Sequence, residues 1–205
     1  AIELVSQVLK NAGLKPKEAD AGKTPEEIDE LVKAVNYHAR ALVLLAPELS
    51  RGGVKATTEN LHNIMAKLER EHPGERENSL YASLVLSLNR LPSDVREKIK
   101  PLAVFHGGVS IGVFRLMTGL EEDEVYSIFL SLINVGLGEN MGYNHIRLDP
   151  ALSPYLMSQL SETEIEEMQS KWAESMKQLT SFLYQQAFKD TRLSFALTRL
   201  ELHNL

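Results

Sequence analysis

Cysteine is absent from the 205 residues, which removes disulfides, zinc ribbons, iron–sulfur clusters and thiol nucleophiles together and fits a reducing compartment. Long hydrophobic runs are absent too. The longest, Ala41 to Pro47, has seven residues, against the ~20 that a membrane helix needs. The N-terminus has no basic region followed by an apolar stretch, so the sequence carries no signal-peptide pattern. These absences predict a cytoplasmic chain with no membrane partner. Positive charge is in deficit as well. With 22 Lys and Arg against 28 Asp and Glu the net charge is −6, without the basic excess that supplies most non-specific phosphate binding, and this argues against nucleic acid as a partner. What remains is ordinary globular material: 43% hydrophobic and 24% charged residues, with 12 Gly and 8 Pro. The length allows one or two domains.

Chemical motifs are scarce. A P-loop requires G-x-x-x-x-G-K-[S/T], because backbone amides, a Lys and a Mg²⁺-bound hydroxyl converge on the phosphates. The nearest stretch, Gly52 to Thr57, has neither the Gly-Lys pair nor the spacing, so the chain alone is not an NTPase. The six His include no H-E-x-x-H and no i, i+4 pair, which argues against a metal site. Gly108-Val109-Ser110-Ile111-Gly112 does match G-x-S-x-G, between a short apolar run and a helix, as a nucleophile elbow would. Ser110 is therefore a candidate nucleophile, with His145 or His203 and Asp149 or Asp190 as nominal partners. Such a hydrolase needs a broad parallel sheet, and the remaining pattern offers helices and one hairpin. Close turns through Gly107, Gly108 and Gly112 explain the motif structurally.

Punctuation and periodicity divide the chain. Ile2, Val5, Val8 and Leu9 predict a short helix closed by Gly13, followed by a polar linker from Lys15 to Lys23. Thr24-Pro25-Glu26-Glu27 is a capping box opening a helix through Ile28, Leu31, Val32 and Val35, which ends near Asn36-Tyr37-His38. Ala41 to Leu45, apolar on every face, belongs at the centre of the first core. Arg51-Gly52-Gly53 breaks the chain, and Thr57 or Thr58 caps a helix with Leu61, Ile64, Met65 and Leu68 on its buried side. His72-Pro73-Gly74 and the charge run Glu75-Arg76-Glu77 mark a domain boundary near residue 75. The second unit then opens on the stripe Leu80, Leu84, Leu88, Leu91, and Ser93-Asp94 caps a short helix. Ile111 to Met117 leads to another, and Glu121 to Glu124 place negative charge at a helix start. Val135-Leu137 and Tyr143-Ile146-Leu148 read as two short strands joined by a turn at Gly138 and Asn140. Three helices followed by a small hairpin is the order of a winged helix-turn-helix. A short helix from Ala151 to Leu160 precedes a second capping box, Ser161 to Glu164. A long helix follows, with Ile165, Met168, Trp172, Leu179, Phe182 and Leu183 buried. Asp190 caps a last helix carrying Leu193, Ala196, Leu197, Leu200 and Leu202. Two such helices read as the first unit of a helical repeat array.

Three of these stretches carry a resemblance to a family. Val35-Asn36-Tyr37-His38-Ala39-Arg40-Ala41-Leu42-Val43-Leu44-Leu45 looks like the Gly-Leu-Pro-Leu-Ala-Leu segment in the helical domain that follows the nucleotide-binding core of NB-ARC-type STAND NTPases. Asn78 to Ser83, Leu86 to Pro92 and Leu102 to Gly108 resemble the winged-helix domain of bacterial members. Trp172-Ala173 through Gln186, then Leu197 to Leu202, is similar to the segment leading into their tetratricopeptide arrays. The resemblance spans roughly residues 1 to 205 and implies a switch. Bound ADP holds the helical and winged-helix domains closed over the nucleotide core, and exchange for ATP releases them to oligomerise. Carried over by position, Ala39 falls where the family often has the Pro beside the adenine, with His38 next to it. The position of the His that touches the ADP β-phosphate matches Asp149, with His145 four residues earlier. An Asp beside a phosphate needs a proton or a bridging metal.

The expectation is a mainly α chain in three parts: a helical lid domain (1–74), a winged-helix domain with a small β-hairpin wing (75–160), and an antiparallel helix pair (161–205) that begins a repeat region. Both ends read as cut from a longer protein. The isolated chain binds no cofactor, while ADP or ATP with Mg belongs to the parent. Its partners are an upstream nucleotide-binding core, downstream helical repeats and, on activation, further copies of itself. The alternatives are a DNA-binding winged-helix regulator and a serine hydrolase using Ser110.

Overall fold

The computed structural model describes residues 25–71 and 78–205. The short helix before Gly13, the linker to Lys23, the Thr24 cap and the Pro73-Gly74 boundary lie outside the described residues. The chain is mainly helical with one small three-stranded antiparallel sheet, and it divides into two compact units, 1–90 and 91–205.

In the first unit α1 (Pro25–Ala34) ends where Asn36 and Tyr37 take φ of 50° and 59°. There the Asn36 amide bonds the Lys33 carbonyl at 2.8 Å and the Tyr37 amide reaches back to Val32 at 2.9 Å. This is the paired closure of a left-handed helix C-terminus, with Asn in the role Gly usually takes. The next helix, α2 (Ala39–Glu71), is two helices across a kink at Gly53 (φ 75°, ψ 176°). That backbone suits only glycine, as the Arg51-Gly52-Gly53 break anticipates. Thr57 and Thr58 do not cap the second half. They lie within its first turns and donate to the carbonyls of Gly53 and Val54 at 2.7 and 2.9 Å. Ala41, Leu42, Leu44 and Leu45 are buried, and Val43 is exposed.

The helix α3 (Asn78–Leu88) belongs to this first unit rather than opening the second. Ala82 and Leu86 join the core made by Leu31, Val35, Leu42, Leu45 and Leu61, and Ser87 Oγ donates to the Leu44 carbonyl at 3.3 Å. Its small residues, Ser79, Ala82, Ser83 and Ser87, are all buried and let its backbone approach α2 closely. The leucine stripe alone reads as one amphipathic face, and it hides the fact that almost every side of this helix is covered.

The second unit runs through α4 (Ser93–Lys98), a 3₁₀ turn (Lys100–Val104), β1 (Gly108–Ser110), α5 (Ile111–Thr118), α6 (Glu122–Asn134), β2 (Gly138–Gly142), β3 (His145–Leu148), α7 (Leu152–Ser158), α8 (Glu162–Lys189) and α9 (Thr191–Glu201). Pro92, not Ser93 or Asp94, occupies the α4 N-cap. Phe114 of α5 stands between Phe105 and Phe129, with ring centroids 6.5 and 5.6 Å away, which ties the end of the 3₁₀ turn, α5 and α6 together in tilted aromatic contacts.

The hairpin differs from its expected register. Val135 to Leu137 is not a strand but the closure of α6, where the Gly136 amide bonds Ile133 and the Leu137 amide bonds Leu132, with Leu137 fully buried. The strands are Gly138–Gly142 and His145–Leu148, and the turn is Tyr143-Asn144 with φ of 51° and 55°. Two left-handed residues match the twist of the flanking strands, as two-residue hairpins require. The sheet also gains a third strand, β1, in the order β1-β3-β2. A three-residue strand beside two glycines gives no alternation in sequence.

Helix α8 starts on the expected capping box. Ser161 N donates to Glu164 Oε2 at 2.8 Å and Glu164 N to Ser161 Oγ at 3.4 Å. Ser161's hydroxyl, and then its backbone N–H, hold the Glu164 carboxyl below its ordinary 4.5. The depressed value means that the box stabilises the folded state above the ordinary value and loses that contribution as pH falls through the lower one. An NMR titration of the Glu164 carboxyl should give a midpoint below 4.5, and Ser161→Ala should raise it.

Candidate functional site

The last helix keeps Leu193, Ala196, Leu197 and Leu200 only half-buried, and Leu202 lies outside the expected face. Its buried positions are polar, Ser194 and Glu201 followed by Asn204, whereas Phe195 and Leu202 face solvent. Ser194 Oγ donates to the Leu183 carbonyl of α8 at 3.0 Å, and Asp190 caps the helix by accepting from Leu193 N at 2.9 Å. Glu201 and Asn204 meet the sheet.

Strand β1 lies at one edge of the sheet. Alternate residues of a strand turn their N–H and C=O groups to opposite sides. Gly107 O accepts from Leu148 N at 3.0 Å and Ile111 N donates to Asn144 O at 2.8 Å, both inward. His106, Gly108 and Ser110 therefore face the open edge. His106 N donates to Asn204 Oδ1 at 2.7 Å, Asn204 Nδ2 donates to Gly108 O at 2.8 Å, and Ser110 N donates to Glu201 Oε1 at 3.2 Å. The carboxamide of Asn204 offers β1 one acceptor and one donor, as a neighbouring strand would. It also donates to Glu201 Oε2 at 2.8 Å, which fixes the carboxylate.

Beneath this arrangement lies His145, opposite Ser110 in the β1–β3 register. His145 is 4% exposed and Glu201 2%, with Nε2 and Oε1 3.4 Å apart. Neither ring nitrogen makes a hydrogen bond. A buried polar atom without a partner costs about 1–3 kcal/mol, so this imidazole is held by packing at the expense of its own hydrogen bonding. The space above Gly108 is filled by that ring: a Cβ there would lie 2.5 Å from His145 Cε1 and 2.6 Å from the Ile146 carbonyl.

Ser110, His145 and Glu201 are thus neighbours and border one groove of about 770 Å³ with Leu116, Leu179 and Phe182. The geometry is that of a helix start. Ser110 has ordinary extended backbone (φ −85°, ψ 149°), and its Oγ accepts from Val113 N at 3.2 Å, which caps α5. The ring nitrogens of His145 do not engage it. The sheet that presents Ser110 is antiparallel and three-stranded, not the broad parallel sheet of a nucleophile elbow. His203 packs over Gly107 instead of reaching Ser110.

The positions that the resemblance assigns to nucleotide sensing fall in both units. His38 and Ala39 are exposed at the start of α2, where the His38 carbonyl accepts from Leu42 N at 3.3 Å. His145 begins β3 and Asp149 follows its end, a separation of roughly 13 Å at the rise of a strand, so one phosphate does not meet both. Asp149 is buried, and its Oδ1 accepts from Ala151 N at 2.9 Å, shaping the turn into α7. A carboxylate engaged in this way, and an imidazole sealed beside a carboxylate, do not fit a phosphate. Among the described residues no group of three or more His, Asp or Glu is placed to hold a metal ion.

The sequence reading passed over Glu201 and Asn204. Neither falls in a motif, and Glu201 sits in an otherwise unremarkable helix end. No protein-family model and no curated protein matches the chain.

Two substitutions test this geometry. Ser110→Ala removes a helix cap and should cost about 1 kcal/mol in urea unfolding, while a fluorophosphonate probe should label neither wild type nor variant. Labelling of wild type alone would make Ser110 a nucleophile. Gly108→Ala should destabilise by about 1–3 kcal/mol through overpacking. Gly112→Ala, with nothing within 4 Å of the added carbon, should be neutral or slightly stabilising.

Proposed function

We propose that the chain is a protein–protein relay: a helical domain, a winged-helix domain and the start of a helical-repeat region, linking a nucleotide-binding core to a sensor array in a STAND-type signalling NTPase. The order helix, strand, helix, helix, strand, strand with sheet order β1-β3-β2 supports the winged-helix reading of the second unit. The fold by itself does not assign a function.

The observation that carries the reading is the surface of α6. In the winged-helix reading this helix takes the recognition-helix position, and it contains no Lys or Arg. Its first turn carries Glu122, Asp123 and Glu124, Glu121 precedes it, and Tyr126 and Leu130 are exposed. The helix itself offers no cation to a phosphate, and Arg115 and Lys98 beside it are engaged with Glu122 and Glu124, each at 2.7 Å. An exposed apolar pair following an acidic first turn suits a protein surface instead.

In this reading the lid closes through contacts around Tyr37 and the start of α2. Phosphate sensing falls to the core, since Asp149 and His145 are committed to internal contacts. The exposed aromatics Tyr184, Phe188 and Phe195 on the last two helices suit packing against a following helix pair.

The test is direct. The reading frame before Ala1 should encode a strand and G-x-x-x-x-G-K-[S/T], and the frame after Leu205 should encode tandem helix pairs. A parent protein without the P-loop sinks the nucleotide switch. In fluorescence anisotropy the purified chain should show no binding to duplex DNA that weakens between 50 and 200 mM salt, a range over which about six phosphate contacts cost roughly a thousand-fold in affinity. Such salt-dependent binding would favour the DNA-binding regulator.

A further inference from the structure

We propose that Glu201 and Asn204 form a releasable clasp on the free edge of β1, through which the docking of α9 is reported to the sheet. The inference rests on the reading of the last helices as the route from a sensor, and it names how that route ends.

The argument begins with what holds α9. Phe195 and, just past the helix, Leu202 are 70% and 63% exposed; Leu193, Ala196, Leu197 and Leu200 are only half-buried; and the fully buried residues are Ser194 and Glu201, with Asn204 just beyond. A helix whose apolar residues are only half-buried and whose sealed contacts are polar is held less firmly than one with a fully buried apolar face, because water offers those polar groups the same partners when it leaves. The closed seat also contains an unmet demand. Both His145 nitrogens are sealed from solvent and unbonded, with Glu201 Oε1 3.4 Å from one of them. Opening the clasp hydrates the imidazole and the carboxylate together, which offsets part of what is lost.

The sheet does not need the clasp in order to persist. The Leu148 N–Gly107 O and Ile111 N–Asn144 O bonds join β1 to its neighbour on the opposite side, and the Phe105–Phe114–Phe129 contacts lie within the core. Release of α9 therefore frees three edge groups, His106 N, Gly108 O and Ser110 N, without unpairing β1 from β3. Anything that binds α9 better in one position than in the other shifts this equilibrium by its difference in affinity.

Amide hydrogen exchange on the 205-residue chain, read by NMR, tests the clasp without any nucleotide, so its failure is separate from failure of the switch. In wild type the His106 and Ser110 amides should exchange at least about ten-fold faster than Leu148, as a local opening does. Asn204→Ala should speed His106 by about a further ten-fold and leave Leu148 unchanged. Asn204→Asp keeps the size and an oxygen for His106 but sets a second carboxylate against Glu201, so it should also speed Ser110. Exchange of all three amides at one rate in wild type, or acceleration of Leu148 as large as that of His106 in both variants, would overturn the proposal.

Discussion

A strand of three residues cannot supply its own partners on both sides, and the second unit is arranged around that constraint. β1 pairs inward with β3, and its outward polar groups are met by two side chains from the far end of the chain. An open edge is either covered, charged or paired with a stranger. Here one turn at the end of α9 covers it. The consequence reaches back along the chain: Gly108 must be glycine for His145 to lie beneath the edge, and Ser110 must be extended so that its amide reaches Glu201 while its hydroxyl starts α5.

This arrangement changes what the G-x-S-x-G segment means. Its outer glycine and its serine have separate structural tasks, close approach and helix capping, and neither requires chemistry. The proximity of Ser110, His145 and Glu201 follows from antiparallel register together with edge capping. A serine nucleophile donates its hydroxyl proton to the imidazole that serves as its base, and the His145 nitrogens accept no such bond here. The exposed apolar residues lie elsewhere: Tyr126 and Leu130 on α6, and Tyr184, Phe188 and Phe195 on the last two helices.

Much of the helical outline was legible because it depends on local chemistry. The Ser161–Glu164 box, the Asp190 cap and the acidic start of α6 are satisfied within one turn of chain, so composition and spacing suffice. The break at Gly53 is likewise local, a backbone conformation that side chains disfavour. The hairpin was displaced by a few residues because Gly136 was read as ordinary punctuation, whereas it closes α6 and hands Leu137 to the core. The boundary of the first unit moved past residue 75 because the leucines of α3 do not say which partner covers them, and its buried serines look polar.

The candidate site was legible only in part. Ser110 and His145 stood out by motif and residue type, but Glu201 and Asn204 lie 91 and 96 residues from the strand groups they bind. Hydrogen bonds at such separations leave no period in the sequence. Composition, caps and short-range spacing determined a mainly helical protein without disulfides, with its helix starts near their observed places. Only the tertiary structure decided that Ser194 and Glu201 are the sealed residues of the last helix, that β1 exists and that His145 is sealed beneath it. Each of these depends on which distant groups satisfy one another, a matter of three-dimensional pairing that a linear pattern does not carry.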